Sequence, residues 1–215
     1  MFENRTLPAV PDRRPIALPG GEATPVANAD SPRRITLDGI SPADEDLLYR
    51  AFAATRAAEM ALTGWHADQQ ESFLRMQYDM QRRAYRLQVP NAEYWVIRCD
   101  GTGAGRLILN RAHLEIHIVD IGLLPEFQGL GIGSALMAAI LEEATQTTRS
   151  VTLQVERFNP ALQWYERLGF RAAGEGGPIY LDMIWKPESE SSDCPGQPAA
   201  SESEQRVGAG TCLSI

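Results

Sequence analysis

The chain reads as a single α/β (α+β) domain: a mixed central β-sheet flanked by helices. Three observations lead there. Short β-branched and aromatic runs alternate with stretches of helical period. The strands outnumber the helices that could cross between them, which a purely parallel sheet does not allow. The residues with any apolar period, 33–186, amount to one domain's worth of chain. Outside them, 1–32 is a proline- and alanine-rich arm and 187–215 an acidic tail rich in Ser, Glu and Gly, both expected to be disordered.

The elements follow in order. Residues 33–37 form a short strand. Ser41-Pro42-Ala43-Asp44 starts a helix, with serine at the N-cap and proline at the first helical position, and that helix runs to about Met60 before Gly64 breaks it. A second helix covers 68–88. Its apolar positions Phe73, Met76, Met80, Ala84 and Leu87 recur at helical spacing. Strands at 93–99 and 106–111 flank Asp100-Gly101-Thr102-Gly103, a hairpin signal. A long strand at 113–124, a helix at 133–145, a strand at 151–155, a short helix at 160–168 and a last strand at 179–185 complete the domain.

Composition removes several classes. The longest apolar run, 135–141, is far short of the ~20 residues a membrane helix needs, and the N-terminus lacks an apolar signal core. Cys99, Cys194 and Cys212 are odd in number and scattered, which suits a reducing cytoplasm and gives no disulfide framework. With only three histidines besides, no metal is expected. The net charge of −8 offers no basic footprint for nucleic acid. All cations but Lys186 are arginine, a usage that suggests a bacterial source. The terminal Cys212-Leu213-Ser214-Ile215 fits a lipidation box only loosely, and no membrane partner is expected.

The informative segment is Leu123-Leu124-Pro125-Glu126-Phe127-Gln128-Gly129-Leu130-Gly131-Ile132-Gly133-Ser134. A strand ends, proline stops its ladder, and a glycine-rich turn feeds a helix N-terminus. Such a turn offers unpaired N–H groups and a positive dipole end to an anion. It is not a dinucleotide fingerprint, because the third glycine would fall on Ser134, and no lysine follows as a Walker loop requires.

Gln128-Gly129-Leu130-Gly131-Ile132-Gly133 resembles the acetyl-CoA-binding signature of the GNAT acyltransferase superfamily, Arg/Gln-x-x-Gly-x-Gly/Ala. A second block about 30 residues on, from Asn159-Pro160 through Trp164-Tyr165-Glu166-Arg167-Leu168-Gly169-Phe170, resembles that family's Asn…Leu-Tyr-Glu-Lys-Leu-Gly-Phe segment, with Trp164 in place of the usual leucine. The resemblance spans about residues 33–185. It implies a sheet splayed into a V, with acetyl-CoA as co-substrate and no metal. The backbone of Leu123 and Leu124 would hold the pantetheine arm, and amides of Gln128, Gly129, Leu130, Gly131, Ile132, Gly133 and Ser134 the pyrophosphate. Asn159 would bond the pantetheine or cap the short helix. A bulge near Ile121-Gly122 would free an N–H for the thioester oxygen.

The catalytic groups follow from the same resemblance. Tyr165 stands at the family's thiolate-donor position, and a phenol keeps its proton at neutral pH. Strand alternation puts His113, Glu115 and His117 on one face. Glu115, thirteen residues before Gln128, matches the base carboxylate of histone-acetylating members; His117 or an ordered water is the alternative. Trp65, His66, Gln77, Tyr78 and Tyr85 are candidates for the acceptor pocket, with Arg56 and Glu59 to orient a charged acceptor. The expected activity is N-acetyl transfer to the amine of a small molecule or peptide by direct attack in a ternary complex, since no cysteine lies near either block. The family commonly forms homodimers; no interface is legible here. A catalytically silent acyl-CoA-binding module and transfer of a longer acyl group are the competing readings.

Overall fold

The computed structural model describes residues 25–26, 33–174 and 177–187. Its strands are β1 (Pro25–Val26), β2 (Arg33–Gly39), β3 (Glu93–Cys99), β4 (Thr102–Arg111), β5 (Glu115–Leu123), β6 (Ser150–Glu156), β7 (Arg171–Ala172) and β8 (Tyr180–Trp185). They form one sheet in the order β1-β2-β3-β4-β5-β6-β8-β7. Only β5 and β6 run parallel; every other neighbouring pair is antiparallel. The helices are α1 (Glu45–Thr55), α2 (Ala57–Ala61), α3 (Ala67–Gln88), α4 (Ile132–Gln146) and α5 (Ala161–Arg167). The expected arm and tail lie outside the described residues except for Pro187 and for Pro25 and Val26, which pair with Arg34 and Arg33.

Each face of the sheet has its own core. On one face, Ile97, Leu107, Leu109, Ile116, Ile118, Ile121 and Leu153 meet Leu136, Met137 and Ile140 of α4 and Tyr165 of α5. On the other, Val96 meets Leu48 and Phe52 of α1, Met60 of α2, and Leu74 and Tyr78 of α3. Tyr85 of α3 covers Ile108 and Val119 farther along.

The first helix is shorter than its sequence suggests. Arg56 leaves helical geometry (φ −111°, ψ 3°) and separates α1 from α2. Its guanidinium lies 4.9 Å from the Phe52 ring centre, one helical turn back. α3 presents a different stripe from the one its period suggests. Leu74, Tyr78 and Tyr85 are buried, while Met76, Met80 and Leu87 are 49%, 58% and 82% exposed. Two apolar stripes lie on this helix, and the tyrosines bring more area to the sheet than the unbranched methionines.

α1 is entered through a 3-10 turn, Pro42–Asp44, that carries a capping box. Burial alone would raise the Asp44 carboxyl. Hydrogen bonds from the Ser41 hydroxyl (2.6 Å), the Ser41 amide (2.9 Å) and Arg98 (3.0 Å) outweigh it and hold Asp44 below its ordinary value. A folded-state pKa below the unfolded one contributes stability above the unfolded pKa, lost as pH falls through the folded value. We expect Asp44→Asn to cost about 1 kcal/mol at neutral pH, with the gap from wild type closing below about pH 4. Thermal melts of both proteins across that range check this; a gap independent of pH would contradict it.

β5 carries the feature that matters most downstream. Leu109 pairs with Ile118 and Ile108 with Asp120, so Val119 is an extra residue. This bulge lies two residues before the expected place at Ile121-Gly122. It brings Val119 and Asp120 to the same face and reverses the alternation beyond them: Ile116 and Ile118 point to the α4 side, and so do Ile121 and Leu123. Close by, a Cβ on Gly105 would run into the Gly122 carbonyl oxygen, so the two strands meet at a distance only glycine permits.

Candidate active site

β5 and β6 are paired only from Glu115↔Ser150 to Ile118↔Leu153. Past that point β5 continues to Leu123 along β4, and β6 continues to Glu156 along β8. The sheet is therefore forked, and the inner edge of β5 is left without a neighbouring strand. Leu124 donates its amide to the Ala104 carbonyl on β4 (2.8 Å). Ladder alternation then turns the N–H groups of Leu123 and Ile121 the other way, into the fork. Leu124 contributes no donor there. The Leu123 carbonyl accepts a bond from Gln128 Nε2 (3.0 Å), which ties the end of the strand to the turn that follows.

That turn begins with a second 3-10 turn, Pro125–Phe127. The Gln128 amide donates to the Pro125 carbonyl (3.2 Å), so Gln128 closes this turn and its own N–H is used internally, unlike the expectation for it. The amides of residues 129–134 have no acceptor among the described residues. Gly129 (φ 69°) and Gly131 (φ 80°) are left-handed, and Gly131 is the N-cap of α4. The Ile132 side chain is buried and Leu130 packs against the same core, so what this segment presents outward is backbone. The result is a cluster of free N–H groups at the positive end of a 15-residue helix, at the mouth of the fork.

Tyr165 is fully buried, with its ring 4.9 Å from Trp164 and 5.6 Å from Phe170. Its hydroxyl has no hydrogen-bond partner among the described residues. Burial, and then the Asp120 carboxylate, push its pKa far above that of an ordinary phenol. α5 packs on β6, and the Tyr165 ring lies in the core that also holds Ile118, Ile121 and Leu123 of β5. Asn159 Oδ1 accepts from the Ala161 amide (2.8 Å), the capping role foreseen as one of its two alternatives.

Asp120 was not among the sequence candidates. It is completely buried, and its Oδ2 lies 2.5 Å from Arg106 Nη2. Burial pushes its carboxyl up, while Arg106, Arg56 and the Ile121 amide pull it back. Arg106 also donates to Gln81 Oε1 of α3 (3.0 Å). The bulge is thus held from below by a buried ion pair, whose breakage by removing one partner is costly. A signal for it was present: the apolar phase slips from even positions (116, 118) to odd ones (121, 123), which requires one extra residue between.

The remaining candidates are distributed as follows. Glu115 and His117 lie on the face of the sheet opposite α4, below the fork, where β5 and β6 are still paired. His117 Nδ1 is 2.9 Å from Thr152 Oγ1. His113 lies in the β4–β5 turn, outside the strand, and is exposed. Tyr78 and Tyr85 are core residues. His66 caps α3 with its amide bonded to Gln69 Oε1 (3.1 Å), and Trp65 packs edge-on against Phe73 (5.3 Å). Gln77 is half-buried. Arg56 comes near Asp120, whereas Glu59 is exposed beside it, 3.8 Å away. Among the described residues no cluster of His, Cys, Asp or Glu could hold a metal ion, and no helix is long and apolar enough to cross a membrane.

Residues 90–172, which include the fork, the glycine turn and α5, match the family model for the acetyltransferase (GNAT) domain. Over that stretch the chain is similar to the GNAT acetyltransferases. Its architecture is shared with PaiA N-acetyltransferase from Thermoplasma acidophilum in complex with coenzyme A (19% identity, 71% of this chain and 98% of that one, TM-score 0.54). It is also similar to the ribosomal-protein-S18-alanine N-acetyltransferase from Escherichia coli (18%, 75% and 99%, 0.50) and to an acetyltransferase from Thermus thermophilus (21%, 71% and 96%, 0.50). No curated protein sequence matches the chain.

Proposed function

We propose that this GNAT domain moves an acetyl group from acetyl-CoA to a primary amine by direct attack in a ternary complex. The observation that carries the reading is the fork: an unpaired edge of β5 leads directly into six backbone amides with nothing to bond. The PaiA neighbour's complex with coenzyme A is consistent with a coenzyme A moiety along such a path. Pyrophosphate fits the amides of residues 129–134, because they carry donors and no opposing carboxylate. The Leu123 amide would bond the pantetheine arm as a neighbouring strand would.

When bound, acetyl-CoA supplies the carbon that the amine attacks and the thiolate that leaves. An N–H on the edge of β5 that the fork leaves unpaired would meet negative charge on the thioester oxygen. Tyr165 would give its proton to the departing sulfur as the C–N bond forms and the C–S bond breaks. The amine's proton would leave toward the row of Glu115 and His117. His117 is the nearer of the two to the fork, and Glu115 would act through it or through water. The acceptor would be a small-molecule or peptide amine, in an acidic protein better suited to a cation than to a nucleic acid. We also place the enzyme in the cytoplasm of a bacterium, without a metal.

Thiol release from acetyl-CoA with a panel of amines tests the reading. Release that depends on one class of amine is expected. Binding of acetyl-CoA with no release on any amine would favour a silent acyl-CoA-binding module, and faster release from longer acyl-CoAs would change the donor. If the base lies in the proposed row, Glu115→Gln or His117→Asn should remove the acidic limb of the kcat/KM profile; profiles unchanged in both would leave water alone as the proton acceptor.

A further inference from the structure

The stripe Phe73, Met76, Met80, Ala84 and Leu87 is continuous, apolar and turned away from this chain's own cores, apart from the inner edge of Phe73. Its three-and-four spacing is that of a helix seam rather than of scattered surface residues. Trp65, 43% exposed, extends it at the N-terminal end of α3. α3 has 22 residues, about 33 Å of rod. We infer that this stripe is the contact between two copies of the chain, packed antiparallel about a two-fold axis at Met80.

Two features of the sequence suit that occupant. The first is register. With Met80 on the axis, Phe73 faces Leu87 of the second copy and Met76 faces Ala84, so large meets large only at the ends and the centre is filled by flexible methionine. The second is charge. Arg75 is paired with Glu71 (2.7 Å) and Arg82 with Glu45, but Asp79 and Arg83 take part in no ion pair among the described residues, although their i, i+4 spacing would allow one. Both are exposed beside the stripe. In the antiparallel arrangement Asp79 comes within two residues, about 3 Å of rise, of Arg83 on the second copy, and the axis makes that pair twice. A segment of this chain from outside the described residues or an unrelated apolar partner would have no use for that symmetry.

Light scattering or sedimentation of the full chain over a micromolar dilution series should give a dimer. Met80→Glu, which sets two carboxylates together on the axis, should give a monomer with an unchanged circular dichroism spectrum. Asp79→Arg and Arg83→Asp change exposed residues and should not disturb folding. Each should weaken the dimer on the order of tenfold, and the double reversal Asp79→Arg/Arg83→Asp should restore it. A wild-type monomer throughout the series overturns the inference, as does a dimer indifferent to Met80→Glu. A double reversal no better than the single changes overturns the register. A monomer whose Met76 and Met80 resist oxidation would assign the stripe to another segment of the same chain.

Discussion

Tyr165→Phe should slow turnover by about 10²–10⁴-fold and leave the protein at least as stable as wild type. The two halves have one cause. The Tyr165 hydroxyl is buried without a partner among the described residues, and an unsatisfied buried polar group typically costs ~1–3 kcal/mol. Phenylalanine keeps the ring contacts with Trp164 and Phe170 and removes that cost. What it also removes is the proton proposed for the departing thiolate. Burial and the neighbouring Asp120 keep that proton on the phenol at every working pH, so Tyr165 can serve as an acid and not as a base. The rate of the variant should therefore show the same pH limbs as wild type, only lower. Steady-state kinetics, a pH series and a thermal melt together decide the matter. Full turnover with chemistry rate-limiting would remove Tyr165 from its role, and a large loss of stability would show that its hydroxyl has a partner after all.

Gly131→Val should abolish measurable binding of acetyl-CoA while the domain still folds. Gly131 sits at φ 80°, where an L-residue is strained by about 1–2 kcal/mol and a β-branched one by more. Valine either accepts that strain, placing two methyl groups beside the amides of residues 129–134, or rotates the backbone and re-aims those amides. Both outcomes disturb a site that consists of backbone alone. Gly131→Ala separates the contributions: it carries the backbone strain with little bulk and should bind more weakly than wild type but more tightly than valine. Calorimetry with acetyl-CoA, beside melting temperatures for the three proteins, checks the series. Normal affinity in a folded Gly131→Val protein would show that the pyrophosphate does not lie on these amides.

Much of this was legible in the chain. The hairpin at Asp100-Gly101, the helix start at Ser41-Pro42 and the glycine turn before α4 are local features, written in residue types whose backbone preferences differ most from the rest. The misreadings share a different character. On α3 two apolar stripes compete, and periodicity alone does not say which one meets the sheet. On β5 strict alternation puts Asp120 among the core side chains of the α4 face, and the bulge at Val119 moves it to the other face beside Arg106. Arg56, read as lying within one continuous helix, stands at a break between α1 and α2. The first two depend on which neighbour wins a contact, and that neighbour is distant in the chain.

Residue order alone was enough to specify a glycine turn between a strand and a helix, because proline at 125 fixes its own φ and glycine at 129 and 131 admits the left-handed φ that other residues resist. It was also enough to mark Tyr165 and the family pattern around it. The parting of β5 from β6 after Ile118, the buried hydroxyl left unpaired, and the buried Asp120–Arg106 pair that supports the bulge came only with the assembled sheet. Hydrogen-bond partners across strands, and the desolvation that raises a phenol's pKa, are properties of packing and have no local code.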